Sequence, residues 1–117
     1  MKMENKMELK AAGINLETGL DRFVGDERLF LDFLKKFPED SSFIKLSQEL
    51  SKDNVQEAYK AAHTLKGVAG NLSVDSLYQT ILPLVEALRK GRLREAKQYF
   101  PIVKESYEQI VDVLKKI

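Results

Sequence analysis

Apolar residues recur at intervals of three and four along most of the chain, and no segment sustains the alternation of a strand. This spacing predicts an all-α protein. Asn15 is a suitable cap for a short first helix that runs through Val24. Gly25 and Asp26 then provide a break and a new helix start.

A second helix is indicated by the apolar stripe of residues 29–37, which runs directly into Pro38. The proline ring removes an amide donor and clashes with the preceding turn. Pro38 therefore either kinks this helix or begins a separate segment that reaches Leu50. The sequence favours a kink or a short break at this position.

Three further helices follow. Asp53 or Asn54 caps the first of them, which ends near residues 70–71. Ser73 is predicted to open the next helix, Gly91 to stop it, and a last helix follows. Short polar connections favour antiparallel neighbours, so we expect an up-down-up-down four-helix bundle with a short N-terminal extra helix.

The length of 117 residues is typical of one domain with a substantial core. We assign residues 13–117 to the bundle and residues 1–12 to an N-terminal tail or leader. No apolar stretch approaches the ~20 residues that a membrane span needs, and the charged start lacks the apolar region of a signal peptide. We expect a cytoplasmic or cytoplasm-facing domain.

Charge and cysteine content exclude several functional classes. Nineteen Lys and Arg against 18 Asp and Glu give a formal net charge of +1, so no global field attracts nucleic acid or an anionic membrane. The absence of cysteine excludes a disulfide framework, thiol catalysis and zinc-thiolate sites. We expect a monomer that binds neither nucleic acid nor membrane.

His63 is the only imidazole in the chain. At ~100° per residue, it lies roughly 120° from the centre of the apolar stripe on its own helix. That stripe comprises Val55, Ala58, Ala62, Leu65, Ala69 and Leu72. A lone helical histidine is more often an ordinary core or surface residue, but this placement predicts a ring that is at least partly exposed.

The neighbours of His63 suggest a reason for this exposure. Gly67 lies one turn beyond it, although a glycine inside a helix costs about 1 kcal/mol relative to alanine; Gly70 has a simpler role in ending the helix. Lys66 is within reach of an anionic group carried by the ring. Lys60 is interpreted as an ordinary surface cation.

The run AAHTLKGVAGNL, residues 61–72, resembles the phosphorylation-site helix of histidine-containing phosphotransfer (HPt) domains. The similarity extends from about Gly13 to the C-terminus. It implies that His63 is phosphorylated, that Lys66 stabilises the phosphoryl group and that Gly67 keeps the approach open. The implied partners are response-regulator receiver domains, including that of a hybrid histidine kinase.

Such a relay needs few catalytic groups on the chain itself. A neutral imidazole can take a phosphoryl group from an aspartyl phosphate on one receiver and return it to an aspartate of another. Positioning and charge neutralisation provide most of the catalysis, and we expect the Mg²⁺ and the acidic cluster to lie on the receiver. The chain has no recognisable nucleotide-binding loop, which favours a carrier without cofactors over a kinase.

One position near His63 departs from the pattern of the family. In several HPt domains a polar side chain about 22 residues after the histidine bonds its second nitrogen, whereas here that position is Val85. Glu86, Gln79 or water are the alternative hydrogen-bond partners of that nitrogen.

The docking surface should surround His63. Its apolar candidates are Leu20, Phe23 and Val24, each of which is equally compatible with a place in the core.

Three competing functions are less well supported. The dimerisation domain of a sensor histidine kinase usually has an acidic residue after its histidine, whereas Thr64 follows here. A small hydrolase using His63 as a general base lacks a convincing nucleophile or metal partner. A helical adaptor without covalent chemistry is the main alternative, and it would not need His63.

Overall fold

Seven α-helices, separated by short turns, make up the computed structural model, which describes residues 1–117. The helices are α1 (Met3–Ala11), α2 (Leu16–Arg22), α3 (Glu27–Lys36), α4 (Ser42–Ser51), α5 (Val55–Asn71), α6 (Asp75–Arg89) and α7 (Leu93–Lys116). One turn of 3-10 helix, Phe37–Glu39, joins α3 to α4. The break predicted at Pro38 therefore lies in this turn.

Local polar signals start the helices as predicted. The side chains of Asn15, Asp26 and Asn54 each accept a hydrogen bond from the backbone amide three residues later. These bonds satisfy amides that the first turn of a helix leaves without a partner. Gly25 and Gly91, with φ of 76° and 72°, occupy the left-handed region in the turns before α3 and α7.

Helices α4 to α7 form the predicted four-helix bundle, in which each packs against the next along the chain. Helix α4 also closes onto α7, because the ring of Phe43 stacks on Tyr107 with centroids 4.0 Å apart and on Phe100 at 5.6 Å. A single cluster of 26 buried apolar residues forms the core. No helix is both long and apolar enough to cross a membrane.

The first twelve residues differ from the predicted tail. Residues Met3–Ala11 form α1, which packs against α7 and α2. Its Leu9 side chain is 0% exposed and belongs to the core cluster. The surrounding residues are mostly charged or polar, so a single buried leucine left no helical period in the sequence. Packing of α1 against α7 explains why these residues form a helix and not a tail.

The linker between α1 and α2, residues 12–15, is tied to the turn between α5 and α6, residues 72–74. Ile14 and Val74 form an isolated antiparallel bridge, and the amide of Asn15 donates to the carbonyl of Ser73 at 2.8 Å. Ser73 does not cap α6 as predicted. It is buried with φ of 55°, and its hydroxyl accepts a hydrogen bond from that of Thr18 at 2.9 Å. These contacts fix α2 beside the C-terminal end of α5.

Helix α1 should contribute measurably to stability. Leu9→Ala is expected to lower the free energy of unfolding by about 2–4 kcal/mol, because it empties a fully buried site. Met7→Ala is the matched control on the same helix: its side chain is 65% exposed, and the expected change is below about 0.5 kcal/mol. Urea denaturation of both variants tests this. Equal effects would show that α1 does not pack onto the bundle.

Candidate functional site

Helix α5 packs against both α4 and α6. Its inward face is made almost entirely of small residues, which allow both neighbours to approach closely. The buried residues of this face are Ala58, Ala61, Ala62, Leu65 and Ala69. The outward face carries His63, which is exposed as predicted.

The ring of His63 has one aromatic neighbour within its own helix. Tyr59 lies one turn earlier, with ring centroids 5.8 Å apart and the planes inclined by 49°. The i, i+4 spacing places these two side chains side by side, and that spacing was a signal available in the sequence. Tyr59 therefore borders the imidazole on one side and leaves the rest of the ring accessible.

Gly67 leaves open space on the other side of His63. A Cβ atom built at Gly67 would meet nothing within 4 Å. At Gly70, by contrast, it would lie 3.3 Å from Cε2 of Tyr78. Packing within the protein thus gives a reason to keep residue 70 small, but gives none for Gly67.

Lys66 directly precedes Gly67 on α5, and Lys66 forms no ion pair. Lys60, on the preceding turn, is bound to Glu57 with Nζ and Oε1 3.5 Å apart. Of the two lysines near His63, only Lys66 is therefore free to bind an added anion without giving up a carboxylate.

A groove of about 450 Å³ opens beside Lys66. We call it the Lys66 groove. Its lining residues are Arg22, Lys66, Gly67, Gly70, Asn71, Asp75, Tyr78 and Gln79. Arg22 comes from α2, which the α1–α2 linker holds beside the end of α5. Arg22 was not predicted from the sequence, since no local pattern connects a residue of α2 with one of α5.

None of the protein side chains considered for the second nitrogen of His63 bonds to it. Val85 is only 7% exposed and belongs to the core. Gln79 lines the Lys66 groove. Glu86 accepts a hydrogen bond from Nε of Arg89 at 3.0 Å and lies 3.6 Å from Nζ of Lys90. The hydrogen bond from Arg89 is the main cause that lowers the pKa of Glu86 to about 2.

The three apolar docking candidates differ in exposure. Val24, with φ of 55°, is 94% exposed. Leu20 and Phe23 are half-buried against the core. The ring of Phe23 also packs on Phe30, with centroids 5.3 Å apart. Val24 is thus available to a partner, whereas Leu20 and Phe23 contribute mainly to packing.

Gly67→Ala should stabilise the fold. Alanine favours the helix over glycine by about 0.5–1 kcal/mol, and the new methyl group enters open space. Gly70→Ala is the matched control, and we expect a smaller gain because Tyr78 must shift. Urea denaturation measures both changes. A Gly67→Ala variant less stable than the wild type would show that the fold itself requires this glycine.

A protein-family model matches most of the chain. The model of the Hpt domain family matches residues 28–113, a region that extends from α3 into α7 and includes His63. No curated protein and no solved structure matches the chain. Hpt domains are helical phosphotransfer carriers that interact with receiver domains. The matched region covers most of the 117 residues, and the chain therefore belongs to the Hpt domain family.

Proposed function

We propose that His63 accepts a phosphoryl group from an aspartyl phosphate of one response-regulator receiver domain and passes it to an aspartate of another. The observation that carries this proposal is an exposed imidazole on the packed helix α5, beside the open space at Gly67 and the unpaired Lys66. Membership of the Hpt domain family supports a phosphotransfer role.

In the first transfer, a lone pair of the neutral imidazole attacks phosphorus in line with the bond to the aspartyl oxygen. A nitrogen–phosphorus bond forms, the phosphorus–oxygen bond breaks, and its electron pair returns to the aspartate carboxylate. The remaining ring proton is lost to water, which reaches the exposed ring. We propose water as the hydrogen-bond partner of the second nitrogen. Attack by the aspartate of a second receiver reverses these steps.

Lys66 is the residue proposed to stabilise the phosphorylated state. A phosphoryl group adds close to two negative charges at neutral pH, and an ammonium without a competing carboxylate can hold it by charge-assisted hydrogen bonds. Gly67 gives the receiver's active site a path to the ring. In this proposal the Mg²⁺ and its acidic ligands belong to the receiver, and the domain acts as a carrier without kinase activity of its own.

Phosphate labelling tests the proposal directly. After incubation with a phosphorylated receiver, the wild type should carry an acid-labile, alkali-stable label, and His63→Gln should carry none because the nucleophile is gone. Thr64→Ala, at the adjacent exposed position, is the matched control and should be labelled normally. Equal labelling of His63→Gln, or no labelling of the wild type by any receiver, would refute the proposal.

Lys66→Ala should slow transfer to His63 by at least about tenfold, since one charge-assisted hydrogen bond contributes about 1.5–3 kcal/mol and about 1.4 kcal/mol corresponds to a tenfold change in rate. Its free energy of unfolding should change by less than about 0.5 kcal/mol, because Lys66 belongs to no ion pair. Lys60→Ala removes the same charge one turn away and should have a smaller effect on rate. Single-turnover kinetics and urea denaturation measure these quantities. Equal slowing in both variants, or unfolding of Lys66→Ala, would contradict the proposed role.

A further inference from the structure

The Lys66 groove contains two cations without carboxylate partners. Neither Arg22 nor Lys66 belongs to any of the ion pairs in the structure. The one acidic residue in the groove lining is Asp75, whose carboxylate accepts a hydrogen bond from Nδ2 of Asn15 at 3.2 Å. The ionised side chains of the groove therefore sum to a positive charge.

The opposite side of His63 has a different electrostatic character. A second groove, of about 410 Å³, lies there and includes Lys60 and Arg89 in its lining. Both of these cations are already paired, with Glu57 and Glu86 respectively. Of the two grooves, only the Lys66 groove therefore offers unpaired positive charge to an anionic partner that approaches His63.

The backbone position of Arg22 is well defined. It lies in the last turn of α2, which the bond between Thr18 and Ser73 ties to the turn after α5. Helix α2 also packs closely on α3, because a Cβ at Gly19 would lie only 2.2 Å from Cζ of Phe30. The backbone that carries this cation is therefore held at a fixed place beside the groove, which suits Arg22 to orienting a partner.

We infer that Arg22 is a docking residue for the receiver, pairing with the carboxylates that surround its phosphorylated aspartate. This inference rests on the proposed function, in which the partner's active site is anionic, because the aspartyl phosphate and the acidic ligands of Mg²⁺ together carry more negative charge than the ion neutralises. Lys66 neutralises the transferred group on the ring. Arg22, on a different helix, binds the rim of the receiver's site and orients it.

An exposed charge at an interface acts mainly on encounter and on salt dependence. Arg22 should therefore affect the receiver concentration that gives a half-maximal rate (KM) and leave the rate at saturation (kcat) nearly unchanged. The lifetime of phosphohistidine in the absence of a receiver should not depend on Arg22. Lys66, by contrast, should affect the saturated rate.

The test compares Arg22→Glu with Arg28→Glu in transfer from a phosphorylated receiver. Arg28 is an exposed arginine on α3 outside the groove, so both variants change the net charge equally. Arg22→Glu should raise KM about fivefold at low salt, and Arg28→Glu less than about twofold. At about 1 M salt, where the Debye length is about 3 Å, the difference should largely disappear. Arg22→Lys should restore most of the loss.

Equal KM values for the two glutamate variants would overturn the inference, as would a fall in kcat or a shorter phosphohistidine lifetime with KM unchanged. Circular dichroism checks that α2 remains folded. Failure of the proposed function is distinguishable, since it appears as an unlabelled wild type. A wild type labelled normally, with no specific effect of Arg22→Glu, refutes only the role of Arg22.

Discussion

In the proposed function, helix α5 must pack tightly against two neighbouring helices and still present an imidazole that another protein can reach. Its inward face meets the first requirement with alanines, which bring α4 and α6 close and hold the helix in place. Its outward face meets the second with Gly67, where an added Cβ would meet nothing within 4 Å. The rigid position of His63 and its accessibility thus both depend on small residues, on opposite sides of one helix.

Ion pairing around His63 adds an electrostatic asymmetry to this geometry. The carboxylates of Glu57 and Glu86 neutralise the cations on one side, while Lys66 and Arg22 on the other side have no such partner. Interfaces that must form and dissociate quickly gain speed and orientation from unpaired charge more than they gain affinity. This arrangement would suit the proposed carrier, which binds a receiver only long enough to transfer a phosphoryl group.

The parts of this site that were predictable from sequence lie within a single helix. Lys66 and Gly67 lie three and four residues after His63, so helical geometry alone brings them to positions next to it. Caps such as Asn54 were equally local. The burial of Leu9 and the place of Arg22 in the lining of the Lys66 groove were missed, because both depend on contacts with distant parts of the chain. Tertiary contacts of this kind leave no periodic signal in the sequence.

The requirement for open space beside His63 is tested most directly by the rate of phosphoryl transfer into a Gly67→Gln variant, measured with its free energy of unfolding. Glutamine favours a helix over glycine, and its side chain would occupy the path to the ring. We expect the variant to be at least as stable as the wild type and to accept phosphoryl groups at least about tenfold more slowly. Transfer at the wild-type rate would show that His63 does not need the open space at Gly67.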